Sequence, residues 1–267
     1  LLRHWLARHS QLSPLSYLSF SSPAINAVAK NLNFDLIWVR NAITIWGTLL
    51  DPHLQSFMTD TSSLISPTPT TIDLDRSPLI LGIMASGSGS NFEAVARSIA
   101  SGNLNAKIAV LIHNKPGIKA IERAQQHGIP TVFLDHRNYP TREELDRAIV
   151  DTFQAHQVEC VVMAGWMRVI TQILIDAFFD RIINIHPSLL PSFPGIHAIE
   201  QALAAKVKIT GCTVHLVSLE VDAGPILVQA AVPVLANDTA ETLHARVQIQ
   251  EHLILPQAIE ILAHQIN

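Results

Sequence analysis

A chain of 267 residues, 48% hydrophobic and 15% charged, is long and apolar enough for one large domain, or a medium domain with an appendage, around a well-buried core. A formal charge of −4 supplies no field for nucleic acid or an anionic membrane, so neither is expected as a partner, and an anionic ligand must be held locally. No stretch reaches the ~18 uninterrupted apolar residues of a membrane span; the longest candidate, residues 36–50, is broken by Arg40 and Asn41.

Residues 1–77 are rich in Ser, Thr and Pro and hold no sustained period of 2 or 3.6; the stretch 61–71 reads as a low-complexity linker. The chain opens on Leu1, and its first methionine is Met58. The favoured reading of residues 1–77 is therefore an extension that is disordered or stems from a mis-assigned start, with the true start at or near Met58. The alternative is a cleaved transit peptide, since Arg3, Arg8 and several serines precede the first acid, Asp35. The first reading places the protein in the cytoplasm, the second in an organelle stroma.

From Leu79 the pattern alternates. Strands are expected at 79–84, 106–112, 131–134, 158–163 and 181–186, with helices at 91–101, 117–127 and 141–156 between them. Thr141-x-x-Glu144 is a capping box. A helix at 196–205 follows, then strands at 213–217 and 226–234 with no helix between, and a last helix opening at Asp238-x-x-Glu241 and running past Pro256 with a kink. Alternating strands and helices predict a Rossmann-like, doubly wound α/β domain over 78–267, mostly parallel, with the late strand pair as an antiparallel excursion. Cys160 and Cys212 fall in apolar runs and are expected as buried, reduced thiols, with no cysteine at metal-ligand spacing.

The loop Ser86-Gly87-Ser88-Gly89-Ser90-Asn91 joins the first strand to the first helix, where an open α/β sheet binds its ligands. Glycines admit close backbone approach, and amides at a helix N-terminus hold phosphate. The Gly-Lys-Ser/Thr of a nucleotide loop is missing, and Phe92 stands where a dinucleotide fingerprint needs glycine. By itself the loop signals a small phosphorylated substrate or an ordinary turn.

Asn184 and His186 leave a strand on the same face, and Pro187 and Pro191 stop that strand and stiffen the loop beyond it. An amide and an imidazole aimed at one point suit oxyanion stabilisation and proton handling. Asp222, in the turn Val221-Asp222-Ala223-Gly224-Pro225, would favour and orient the imidazolium if it lay beside it. Each residue alone is as well read as packing or turn capping; the three together point to chemistry. His197 and His215 are expected near the same edge. No His-Glu-x-x-His zinc set and no Gly-x-Ser-x-Gly elbow occurs, so no metal is expected.

These segments, with Met163-Ala164-Gly165-Trp166-Met167-Arg168, Phe193-Pro194-Gly195 and Gly211-Cys212-Thr213-Val214-His215, occur in the order in which they stand in one known family. Across about 79–262 the chain resembles the folate-dependent glycinamide ribonucleotide formyltransferases of purine synthesis. The resemblance implies transfer of formyl from 10-formyltetrahydrofolate, as co-substrate, to the ribonucleotide's glycinamide amine, by a monomer or homodimer. Asn184, His186 and Asp222 would be catalytic. Gly89, Ser90 and Asn91 would hold the substrate phosphate, and Glu251 its amine-bearing arm or ribose. Met167, Arg168 and Val169 would line the folate pocket, with Arg142 approaching the folate's glutamate tail. Trp166, where Phe is common, and Ile199, where a histidine is sometimes seen, are departures in pocket detail.

Two related activities are set aside. A formyltetrahydrofolate hydrolase is expected to carry a regulatory βαββαβ domain, a pattern foreign to residues 1–77, and a methionyl-tRNA formyltransferase a basic barrel after the last helix. A non-catalytic folate or phosphosugar binder has no reason to keep the Asn-His-Asp set.

Overall fold

The computed structural model describes residues 65–68 and 71–266; the expectations for 1–64 lie outside these. Strand β1 spans Ile65–Ser66 and β2 Leu79–Ala85. They are followed by α1 (Ser90–Ala100), β3 (Ala106–His113), α2 (Lys119–Gln126), β4 (Thr131–Phe133) and α3 (Arg142–Ala155). Next come β5 (Cys160–Met163), α4 (Gln172–Ala177), β6 (Ile182–His186) and α5 (Ala198–Ala204). The chain continues through β7 (Ile209–Leu216), β8 (Ile226–Pro233) and α6 (Ala240–Ile266), which passes Pro256 as one helix.

All eight strands form one sheet in the order β1-β8-β7-β6-β5-β2-β3-β4. Neighbours from β6 to β4 are parallel, whereas β7 runs antiparallel to β6 and β8, and β1 antiparallel to β8. The doubly wound sheet with its antiparallel excursion is therefore present as expected. Strand order reverses between β2, which leads to β3, and β5, which leads to β6. The crevice beyond the carboxyl ends of β2 and β5 is the switch point where such sheets take ligands.

Period-2 alternation explains the layers. Leu81, Ile83 and Ala85 of β2, with Cys160 and Val162 of β5, pack in a core shared with α1, α2, α5 and α6. Their sequence neighbours Met84, Val161 and Met163 turn to the other face, against Leu145, Ile149 and Phe153 of α3 and Leu174 of α4. Burial of each Leu, Ile, Val, Met and Phe among these contributes about 1.5–3 kcal/mol. Both cysteines are free and buried, and burial pushes the Cys160 thiol up to about 12, so these are inert packing groups.

Two expectations need correction, and one element was not foreseen. The stretch read as linker supplies edge strand β1, with Ile65 opposite Ala230, and Gln257 donates to the Pro67 carbonyl. Beyond it, Arg76 forms a 2.8 Å ion pair with Glu260, their side chains only 8% and 4% exposed, and Asn105 donates to the carbonyls of Asp73 and Arg76. Low-complexity composition concealed this because its few contacts use backbone and one arginine. Short helix α4 lacked a readable period at six residues. The last helix is capped by Thr239 and Thr242, whose hydroxyls each accept from the other's amide, while Asp238 is held instead by Arg246. At Thr141 the expected cap is present, its hydroxyl accepting from the Glu144 amide.

Candidate active site

A cavity of about 520 Å³ opens at the switch point. One wall is the glycine loop after β2; a second is the 164–170 loop after β5; a third comes from the ends of β6 and β7 and the turn at 221–222; α6 closes the side with His244, Gln248 and Glu251. Such a crevice, with apolar lining and a few convergent polar groups, is the usual form of a small-molecule site.

In the glycine loop, Gly89 caps α1 at φ +71°, in the left-handed region. A Cβ there would also meet Ala120 at 2.6 Å, so glycine is required both for the turn and for the approach of α2. Ser90 and Asn91 open the helix and face the cavity, where amides and helix dipole favour an anion. Asn91 Nδ2 donates to Glu251 Oε2 at 3.1 Å, and Gln248 Nε2 to Ser90 Oγ at 2.9 Å. Burial pushes the Glu251 carboxyl above its ordinary range, against the lowering effect of Asn91.

At the opposite wall the sheet brings Asn184, His186 and Asp222 together. Asn184 and His186 share a face of β6, as period 2 demands. Asp222 arrives on the turn after β7, with φ +56°, a conformation Asp tolerates better than most residues. Gly224 permits that turn to fold flat, because a Cβ there would overlap the Leu216 carbonyl.

The Asp222 carboxylate is the hub. Its Oδ2 lies 3.3 Å from His186 Nδ1 and accepts from the Gly195 amide at 2.7 Å. Its Oδ1 accepts from Asn184 Nδ2 at 3.4 Å and stands 3.7 Å from His215 Nε2. Burial pushes the Asp222 carboxyl up, but the nearby His215 ring, the hydrogen bond from the Gly195 amide and the charge of His186 outweigh it, and the group lies below its ordinary value. It is therefore a carboxylate at neutral pH.

His186 Nε2 donates to the Phe193 carbonyl at 2.8 Å, so oxygen atoms face both ring nitrogens and the ring cannot rotate freely. The stretch after it is locked to β7 and β8. Thr213 Oγ1 donates to Ser188 O at 2.7 Å and accepts from the Leu190 amide, and Gln229 Nε2 donates to Leu190 O. His215 Nδ1 donates to the Leu216 carbonyl at 2.8 Å, and Asn184 Nδ2 lies 3.2 Å from its Nε2. An amide, an imidazole and a carboxylate held by this many bonds form a preorganised polar patch for developing charge.

The remaining sequence-derived residues divide. Met167, Arg168 and Val169 are exposed on the loop after β5 and line the cavity, with Trp166 and Ile170 buried beneath. Arg142 does not line it; it stands exposed on the first turn of α3, close enough for its charge to act on Asp146. His197 lines the cavity but is 70% exposed and pairs with Glu200.

Sequence reading passed over Gln248, though His244, Gln248 and Glu251 sit one turn apart on one helix and could have been found by that spacing. The Gly195 amide and Phe193 carbonyl, being backbone groups, leave no side-chain signal.

Comparison with known proteins identifies the family. The formyl transferase family profile matches residues 81–259. Among curated proteins, the chain is 42% identical over 180 residues to the phosphoribosylglycinamide formyltransferase of Bacillus subtilis, covering 67% of this chain and 92% of that one. It is 42% identical over 183 residues to the human trifunctional purine biosynthetic protein adenosine-3, and spans only 18% of that protein's length. Among solved structures, glycinamide ribonucleotide transformylase 1 of Symbiobacterium toebii superposes with a TM-score of 0.70 at 42% identity, over 70% of this chain and 89% of that one.

Proposed function

The chain belongs to the formyl transferase family, and from that premise we infer that it transfers a formyl group from 10-formyltetrahydrofolate to the amine of glycinamide ribonucleotide, in the de novo route to purines. The observation that carries this reading is the meeting of the Asn184-His186-Asp222 patch with a phosphate-type cradle across one cavity.

The lining fits both substrates. The exposed side chains of Met167, Val169, Ile196, Leu219 and Val221 suit a flat heteroaromatic ring, and Arg168 suits a carboxylate tail. Arg142 lies outside the cavity, so its part is with the distal end of that tail. The amides at Gly89, Ser90 and Asn91 take the ribonucleotide phosphate, and Glu251 takes its ribose or amine-bearing arm. When bound, the formyl-folate supplies the carbon that the glycinamide amine attacks.

Asn184 and His186 then hold the negative charge that gathers on the formyl oxygen. Their present partners, Asp222, His215 and Phe193 O, keep them in place until the stronger, charged acceptor competes for them. Asp222 stabilises the His186 cation and assists the proton that leaves the amine, which ends on the folate nitrogen as the old carbon–nitrogen bond breaks. The buried free thiols fit a reducing compartment, and we assign the reaction to the cytoplasm.

The direct test mixes the full chain with glycinamide ribonucleotide and 10-formyltetrahydrofolate. Formylated ribonucleotide is the expected product. Formyl release to water without the ribonucleotide would overturn the assignment in favour of a hydrolase.

A further inference from the structure

The 164–171 crossover, which offers Met167, Arg168 and Val169 to the cavity, is held at both ends by buried polar side chains outside the catalytic patch. At its head, Ser86 Oγ accepts from the Met167 amide at 3.0 Å, and the Ser86 amide donates to the Gly165 carbonyl at 3.0 Å. At its tail, Asp146 Oδ2 accepts from the Thr171 amide at 2.6 Å, reaching across from the middle of α3. Ser86 is 4% exposed and Asp146 2%. Between these pins Trp166 and Ile170 plug into the core, while 167–169 stay exposed.

A carboxylate 2% exposed is expensive to bury, and burial raises the Asp146 carboxyl above its ordinary range. Packing alone would be served better by an apolar residue at that place. What Asp146 provides is an acceptor for a backbone amide at one fixed point of the loop. Ser86 does the same, and it is also the first residue of the glycine loop, so one side chain joins the phosphate cradle to the folate-facing loop.

We propose that Ser86 and Asp146 are positioning residues that pin the two ends of the 164–171 loop and thereby set the surface it presents to the formyl-folate. The consequence for the co-substrate rests on the function assigned above; the pins themselves do not.

The test uses the full chain and its Ser86→Ala, Asp146→Ala and Asp146→Asn variants. Without ligand, amide hydrogen exchange should accelerate at Met167 in Ser86→Ala and at Thr171 in Asp146→Ala, while Asp146→Asn, which keeps an acceptor oxygen, retains protection. In turnover, the KM for 10-formyltetrahydrofolate should rise roughly five- to tenfold in Ser86→Ala, as expected for one lost hydrogen bond. It should rise further in Asp146→Ala, with the KM for the ribonucleotide much less affected, and return in Asp146→Asn.

Unchanged exchange at both amides, a parallel rise in both KM values, or an Asp146→Asn as impaired as Asp146→Ala would each overturn the proposal. Should Asp146→Ala fail to fold, the Ser86→Ala readouts decide. A wild type that transfers no formyl group defeats the function reading instead, and the exchange measurement still judges the pins.

Discussion

The two halves of the sheet build their share of the cavity in different ways. The parallel half, β4-β3-β2-β5-β6, contributes a glycine turn, the N-terminus of α1 and a loop pinned by Ser86, and only at its margin, on β6, the side chains of Asn184 and His186. The antiparallel half, β7 and β8 with the turn between them, contributes side chains and the framework that aims them, including His215, Asp222, Thr213 and Gln229. Backbone recognition follows from topology, because any strand-to-helix turn at a switch point exposes amides. Side-chain chemistry does not; it needs a carboxylate delivered to one oxygen-to-nitrogen distance. The lesson is that a widespread sheet can hold a phosphate with little specialisation, while the reaction depends on the seam where the antiparallel half brings Asp222 to Asn184 and His186 of β6.

The sharpest break of that contrast lies at the junction, His186. His186→Ala or Asp222→Asn should lower kcat by roughly 10²–10⁴-fold, with the fold and the KM for formyl-folate little changed, as measured by steady-state kinetics and circular dichroism. Equal turnover in Asp222→Asn would remove the antiparallel half from the chemistry, and equal turnover in His186→Ala would remove the imidazole.

A smaller effect concerns stability. Arg76→Ala leaves Glu260 buried and without its 2.8 Å partner. Because the Asp73 amide and His264 still face Glu260, it should cost about 1–3 kcal/mol in denaturant unfolding, while kcat of the folded enzyme is preserved. The result would show the segment around Arg76 to be part of the folding unit and no part of the reaction.

The smallest effect separates binding from stability on α6, where the helix closes the side of the cavity. Glu251 has its carboxyl raised by burial, so between its ordinary value and the folded one the native state keeps a proton that the unfolded state has lost. Stability therefore falls as pH rises through that window. Glu251→Gln should raise Tm at neutral pH, with no gain in acid below the ordinary carboxylate range, and at the same time raise the KM for the ribonucleotide. Asp222 has the opposite sign. Its carboxyl is depressed, so the stability it contributes is present above the ordinary value and is lost as pH falls through the folded one.

The sequence by itself determined the order of strands and helices, because hydrophobic period is a local property and survives without contacts. It also determined the glycine at position 89, where left-handed backbone and close approach demand it, and the shared face of Asn184 and His186, which period 2 imposes on any strand. Only the tertiary structure decided that Asp222, 36 residues beyond His186, would touch it, and that a carboxylate on α3 would seize the amide of Thr171. It alone drew Ile65 and Ser66 onto the sheet edge and Arg76 against Glu260, and drew the Phe193 carbonyl and Gly195 amide into the catalytic patch. The physical reason is range: alternation and backbone strain are felt within a few residues. A hydrogen bond between distant elements exists only after the core has closed and fixed their separation to a few tenths of an ångström.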